Sequence, residues 1–190
     1  MVNGLTKEYT GYLLVGNEHE RIYDTIQNGL LRARKYVWVT SAKTLDFMVK
    51  NPTTKEAVQI TQRLYRLAKQ GIQQRFILAP REQTKTYQNS KTVYQKLMGT
   101  ENIQFRFCYD MHMKVIVVDG TWTYFGSANL TGAGMGSRTR KGRNNFEIGT
   151  ITVDREAISV IEKLLWQIWS GDLCIGCYQK EKGYCKGISY

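Results

Sequence analysis

Residues 112–129 read HMKVIVVDGTWTYFGSAN, and the order of residue types in that run decides how the rest of the chain is read. Val115 to Val118 and Thr121 to Phe125 are β-branched and aromatic, and Asp119-Gly120 between them suits a tight turn. The pattern predicts two strands, 113–118 and 121–125, paired as a hairpin. His112 and Lys114 stand two residues apart at the start of the first strand, where a period of two puts both side chains on one face. An imidazole beside an ammonium makes a poor core pair, because burying unpaired charge is costly. The same pair is well suited to holding a phosphate.

Working outward, the chain alternates helix and strand. Ile22, Ile26 and Leu30 recur at four-residue spacing and predict a helix over 18–34, followed by a strand over 36–40. Asn51 as N-cap and Pro52 at the first helical position predict a second helix with Ala57, Ile60, Leu64, Leu67 and Ala68 on one face, closed by Gly71. Further strands are expected over 73–79, 103–108 and 146–153, and a helix over 84–98. Asp154 caps a last helix that buries Ile158, Ile161, Leu164, Leu165 and Ile168 and ends at Gly171. The expected fold is α/β, a mixed sheet flanked by helices on both faces, occupying residues 1–170, with a cysteine-containing tail over 171–190.

The 190 residues fit one ordinary domain, and 42% hydrophobic against 23% charged, with two prolines, is a globular balance. Twenty-seven Lys and Arg against 16 Asp and Glu give a formal charge of +11, which favours polyanionic partners. No apolar run approaches the roughly 20 residues of a membrane span, and residues 1–10 lack the apolar core of a secretory signal, so a cytoplasmic address is expected. Residues 131–144 are Gly-rich and carry Arg138, Arg140, Lys141 and Arg143 without an acidic residue, which predicts a basic loop for phosphate contact.

The arrangement His112-x-Lys114, four residues, Asp119, six residues, Gly126-Ser127-x-Asn129 resembles the HKD signature of the phospholipase D superfamily. The continuation from Ala128 to Gly134 and then Asn145-Phe146-Glu147 is similar to the nuclease branch of that family. The resemblance implies a phospholipase D-like fold, an acidic residue supporting the catalytic histidine, and for Asp119 a part in local structure rather than in reaction. The chemistry explains the residue types. A phosphodiester repels nucleophiles, and its pentacovalent transition state gathers further charge on oxygen. Lys114 and the Asn129 amide can neutralise those oxygens, with Ser127 adding a donor. Neutral His112 can attack phosphorus to give a phosphohistidine that water then resolves. Glu147 is the candidate to accept the other ring N–H of His112.

One histidine cannot both attack and protonate the leaving oxygen in the same step. The other histidine, His19, is followed by Glu20 and Arg21, so no second His-x-Lys exists in the chain. A two-fold homodimer with facing His112 residues is therefore expected. The scheme needs no catalytic metal, and cleavage is expected to survive EDTA. The leading expectation is a metal-independent nuclease acting on DNA rather than RNA. A lipid phosphodiesterase of the same family is one alternative, and a non-catalytic nucleic-acid-binding domain of the same fold is another.

Cys174-x-x-Cys177 with Cys185 offers three thiolates to a structural zinc, with an iron–sulfur cluster as the rarer alternative. A fourth ligand is missing locally, and Cys108, Asp172 or His19 are candidates. Free thiols are the plain alternative.

Overall fold

The structure, a computed structural model, describes residues 9–15, 27–50, 54, 56–79, 92–137, 145–183 and 188–189. Eight strands form one sheet in the order β1-β9-β8-β7-β2-β5-β6-β10. These are β1 (Gly11–Val15), β2 (Tyr36–Ser41), β5 (Gln73–Leu78), β6 (Ile103–Phe107), β7 (Val115–Val118), β8 (Trp122–Gly126), β9 (Ile148–Thr152) and β10 (Ile188–Ser189). A separate hairpin pairs β3 (Met48–Lys50) with β4 (Ala57–Gln59). The helices are α1 (Ile60–Lys69), α2 (Val93–Leu97), α3 (Arg155–Ser170) and the single turn α4 (Tyr178–Glu181). Residues 27–30 are also helical and 31–34 are not, so the helix expected over 18–34 stops at Leu30, its part before residue 27 lying outside the described residues. The sheet is mixed: β2, β5 and β6 run parallel, and the pairs from β2 through β7, β8 and β9 to β1 are antiparallel.

Alternation along the central strands splits the core into two layers. Val37, Val39, Phe76, Leu78, Ile116 and Val118 pack with Leu30, Leu64, Leu67 and Leu97 on one face. Trp38, Ile77, Val115 and Val117 pack with Ile158, Leu165 and Trp169 of α3 on the other. Strands buried on both faces need apolar residues at every position, which is why β7 reads as the unbroken run VIVV.

The β7–β8 turn is as expected. Asp119 and Gly120 have φ of +54° and +64°, and the Thr121 N–H donates to the Val118 carbonyl at 3.0 Å. Two consecutive left-handed residues are the signature of the hairpin turn that matches strand twist. Asp154 caps α3 by accepting from the N–H groups of Glu156 and Ala157 at 2.9 and 3.1 Å, and Gly171 ends the helix at φ +92°.

The structure departs further from the sequence reading in four places. The second helix starts at Ile60 rather than Pro52, because residues 57–59 pair with 48–50 instead, with Val58 opposite Val49 and both buried. The helix expected over 84–98 is seen as Val93–Leu97, capped by the Thr92 hydroxyl, its earlier part lying outside the described residues. Gly11–Val15 adds an edge strand that the sequence reading left out. Finally, the tail is docked against the fold: Ile188 and Ser189 pair with Arg106 and Phe105 at the other edge of the sheet. Arg106 is buried, and its guanidinium donates to the Trp169 carbonyl and, at 3.5 Å, to the Cys174 sulfur.

Candidate active site

The end of β8, the middle of β9 and the segment leading into β7 meet around an open concavity of about 480 Å³ lined by His112, Lys114, Phe125, Gly126, Ser127 and Ile148, with Leu13, Gly149 and Thr150. His112 is exposed, whereas Lys114 is 6% exposed. A buried ammonium must be held by acceptors, and Lys114 Nζ donates to the main-chain oxygen of His112. Both residues precede β7, whose first N–H, that of Val115, donates to the Thr40 hydroxyl of β2 at 3.0 Å. The pair is thereby fixed to the centre of the sheet.

Ser127 leaves β8 and is bound from both sides to the start of β9. Its N–H donates to the Ile148 carbonyl at 2.9 Å, and its hydroxyl oxygen accepts from the Ile148 N–H at 3.0 Å while donating to Glu147. Glu147 accepts a second bond from Asn145 Nδ2 at 3.0 Å. Among the described residues no hydrogen bond joins Glu147 to His112, so in this state the carboxylate orients Ser127. The phenol of Tyr124 lies beneath this corner with no exposed surface. Burial, and then the negative charge of Glu147, push it up to about 12. Gly126 and Gly149 face each other across β8 and β9 and leave room for that ring: a Cβ on Gly149 would stand 2.4 Å from Tyr124 Cε2.

Asn129 follows two residues after Ser127 and is half-buried. Its Oδ1 accepts from the Ser41 hydroxyl and the Lys43 N–H, both at 3.2 Å, which ties it to the end of β2 and leaves the Nδ2 end to donate elsewhere. Asp119 is at the opposite end of β7 from His112. Its carboxylate accepts the N–H groups of Arg34, Lys35 and Tyr36 at 2.8, 2.8 and 2.9 Å, closing the entry to β2. The geometry thus brings His112, Lys114 and Ser127 together, with Glu147 one bond away, and leaves Asp119 apart as a structural carboxylate.

Arg138, Arg140, Lys141 and Arg143, together with His19 and Cys185, lie outside the described residues. Cys108, Cys174 and Cys177 form no disulfide with one another, and no three His, Cys, Asp or Glu side chains gather among the described residues as a metal site would require. The described structure therefore gives the metal expected at Cys174 and Cys177 no support. Tyr124 was not singled out by sequence reasoning. The only signal for it was two glycines, 126 and 149, that fall opposite each other only once the register is known. Also among the described residues, no helix is long and apolar enough to cross a membrane.

A family model described as "Cardiolipin synthase, PLD-like domain" matches residues 26–169. No curated protein sequence matches the chain. Among solved structures the chain is similar to NucT from Helicobacter pylori, with 18% identity, a TM-score of 0.64, and coverage of 95% of this chain and 99% of that one. It is also similar to Nuc, a phospholipase D family member from Salmonella typhimurium, at 16% identity and TM-score 0.56, covering 85% and 95% of the two chains. Phosphatidylserine synthase of Haemophilus influenzae Rd KW20 matches at 15% identity and TM-score 0.56; 84% of this chain is covered, but only 38% of the synthase.

Proposed function

The chain belongs to the phospholipase D-like family, and on that premise we propose that it is a phosphodiesterase of the nuclease type, cleaving DNA in preference to RNA without a catalytic metal. The observation that carries this reading is the convergence of exposed His112 and buried Lys114 on one concavity beside Ser127. Lys114 and Ser127 supply a positive charge and a donor to the phosphoryl oxygens, and Asn129 offers its free amide end. The unprotonated nitrogen of His112 attacks phosphorus, forming the P–N bond as the P–O bond to the leaving strand breaks. Water then displaces the imidazole and restores the enzyme. The formal charge of +11, including Arg138, Arg140, Lys141 and Arg143, favours a polyanion and predicts steep salt dependence.

The leaving oxygen takes its proton from the partner's His112 in a two-fold dimer. What supports the dimer is a rim of exposed apolar side chains beside the concavity: Leu13, Val15 and Ile148 are each about half exposed or more, surface that a second copy would remove from water. Cleavage of plasmid, single-stranded DNA and RNA in EDTA, comparing the native protein with His112→Ala, tests the reading. Cleavage lost with His112 supports it. EDTA-sensitive cleavage that survives the substitution contradicts it.

The same apolar rim favours a second reading, a lipid phosphodiesterase, in keeping with the likeness to a phosphatidylserine synthase. Release of choline from a short-chain phosphatidylcholine, with no cleavage of nucleic acid, would favour it.

A further inference from the structure

Cys174 and Cys177 take no part in the chemistry at His112. They lie beside Arg106 of β6, towards the opposite edge of the sheet from β8 and β9. The chain between them forms a tight turn: Ile175 has φ −72° and ψ 121°, Gly176 has φ +70°, and the Cys177 N–H donates to the Cys174 carbonyl at 3.4 Å. Those are the angles of a type II turn, whose third residue favours glycine. The two cysteines are its first and last residues, so their Cα atoms fall within about 7 Å, the span that a disulfide bridges. Both are partly exposed, and Ile175 and Gly176 between them are exposed, so a small disulfide can reach the pair.

The Cys174 sulfur also touches the core. It accepts from Arg106 Nη2 at 3.5 Å, while the same guanidinium donates to the Trp169 carbonyl in the last turn of α3. Arg106 is buried, and it and Phe105 pair with Ser189 and Ile188 of the tail. One buried cation thus joins the end of α3, the cysteine turn and the strand on which the tail docks.

We propose that Cys174 and Cys177 are a reversible thiol–disulfide site, and that its state sets how firmly the C-terminal tail is held to β6. The oxidant is a low-molecular-weight disulfide such as oxidised glutathione. One cysteine thiolate attacks it, forming a mixed disulfide and releasing one glutathione thiolate. The other cysteine then attacks the protein sulfur of that mixed disulfide, closing the Cys174–Cys177 bond and releasing the second glutathione. Two electrons, and two protons by way of solvent, pass from the pair to glutathione, and a dithiol reverses the exchange. Closing the bond brings the Cys174 sulfur to about 2 Å from that of Cys177 and turns it away from the guanidinium. A buried cation that loses an acceptor is destabilised, so the tail of the oxidised protein is held less firmly.

The test treats the full chain with oxidised glutathione, alkylates the remaining thiols and maps tryptic peptides by mass spectrometry. Peptide 164–180 carries both cysteines. It is expected unalkylated and lighter by two hydrogens in the native protein and in Cys185→Ser, but not in Cys177→Ser, and it should revert with dithiothreitol. Amide hydrogen exchange is read on the same samples. Oxidation should speed exchange in β6 and at the end of α3 by about tenfold in the native protein and leave Cys177→Ser unchanged. Peptide 164–180 found alkylated at both cysteines, carrying glutathione, or joined to Cys108 or Cys185 overturns the site. So does one equivalent of zinc in the purified protein with both thiols protected from the oxidant. A disulfide with unchanged exchange overturns the link to the tail, and so does the same quickening in Cys177→Ser.

Discussion

The ammonium of Lys114 donates to the main-chain oxygen of His112, so the two residues that face the concavity are locked to each other as well as to β7. Lys114 thus has two roles, one in shaping the His112 loop and one in presenting charge. Replacing it with Met keeps the bulk and removes the charge. Turnover is expected to fall by about 10²–10³-fold, the scale of losing one preorganised charge partner. The same change takes a donor from the His112 main-chain oxygen, so thermal unfolding followed by circular dichroism should show a melting temperature lower by only a few degrees. A large fall in melting temperature would give the residue a purely structural part.

Asp119 shows the opposite separation. Its carboxylate collects three backbone N–H groups from Arg34, Lys35 and Tyr36. Asp119→Ala leaves all three without that acceptor and puts a Cβ-only residue at φ +54°. The expected loss is about 3 kcal/mol, or a melting temperature lower by about 10 °C for a chain of this size. Asn tolerates left-handed backbone and keeps one acceptor, so Asp119→Asn should lose about half as much. Well below the transition, kcat should stay within a few-fold of the native value. A thousandfold loss of kcat in a stable Asp119→Asn protein would place the residue in the reaction.

The hairpin that holds these residues was legible because its signals are local. A β-branched run, Asp-Gly and an aromatic run specify β7, the turn and β8 within a dozen residues. For the same reason Asp154 and Gly171 bounded α3. What could not be read is what depends on distant partners. Gly11–Val15 is a strand because it lies along β9, and Ala57–Gln59 is one because Val58 meets Val49, although Asn51-Pro52 carries the local signature of a helix start. The residues of the site were legible as a spacing, but their pairing was not. Glu147 bonds Ser127 and Asn145 in the structure, and Tyr124 lies under the site because strand register sets Gly126 opposite Gly149.

That buried phenol gives a further expectation. A Cβ at Gly149, which lines the concavity, would meet Tyr124 Cε2 at 2.4 Å. Gly149→Ala should destabilise the fold by roughly 1–3 kcal/mol, the usual cost of overpacking. Combining it with Tyr124→Leu should restore part of that loss, a coupling that denaturant titration of the four proteins would read. Strict additivity would mean that the ring does not need the glycine.

Alkaline stability follows from the same residue. Tyr124 is pushed up to about 12 from an ordinary value of 10, first by burial and then by the charge of Glu147. Tyr36 is also raised, by burial and then by its hydrogen bond to Glu162. Both groups keep their protons in the folded state after the unfolded chain has lost them. Their stabilisation is therefore fully present below pH 10 and is lost as the pH rises towards and through the folded values. Of that loss, Tyr124 accounts for about 2–3 kcal/mol. Urea titrations from pH 8 to 12 should show stability falling above pH 10, and Tyr124→Phe should flatten the fall. An unchanged profile in Tyr124→Phe would mean that the phenol titrates normally.

The claim on which the account turns is that His112 bonds to phosphorus. The most direct measurement is rapid quenching of a reaction with an oligonucleotide labelled on the scissile phosphate, followed by peptide mapping of the protein. The account predicts a transient adduct on His112 that is stable to alkali and labile to acid, as a phosphoramidate is, and that is absent in His112→Ala. Cleavage that proceeds with no labelled protein, or with the label on Ser127, would contradict it.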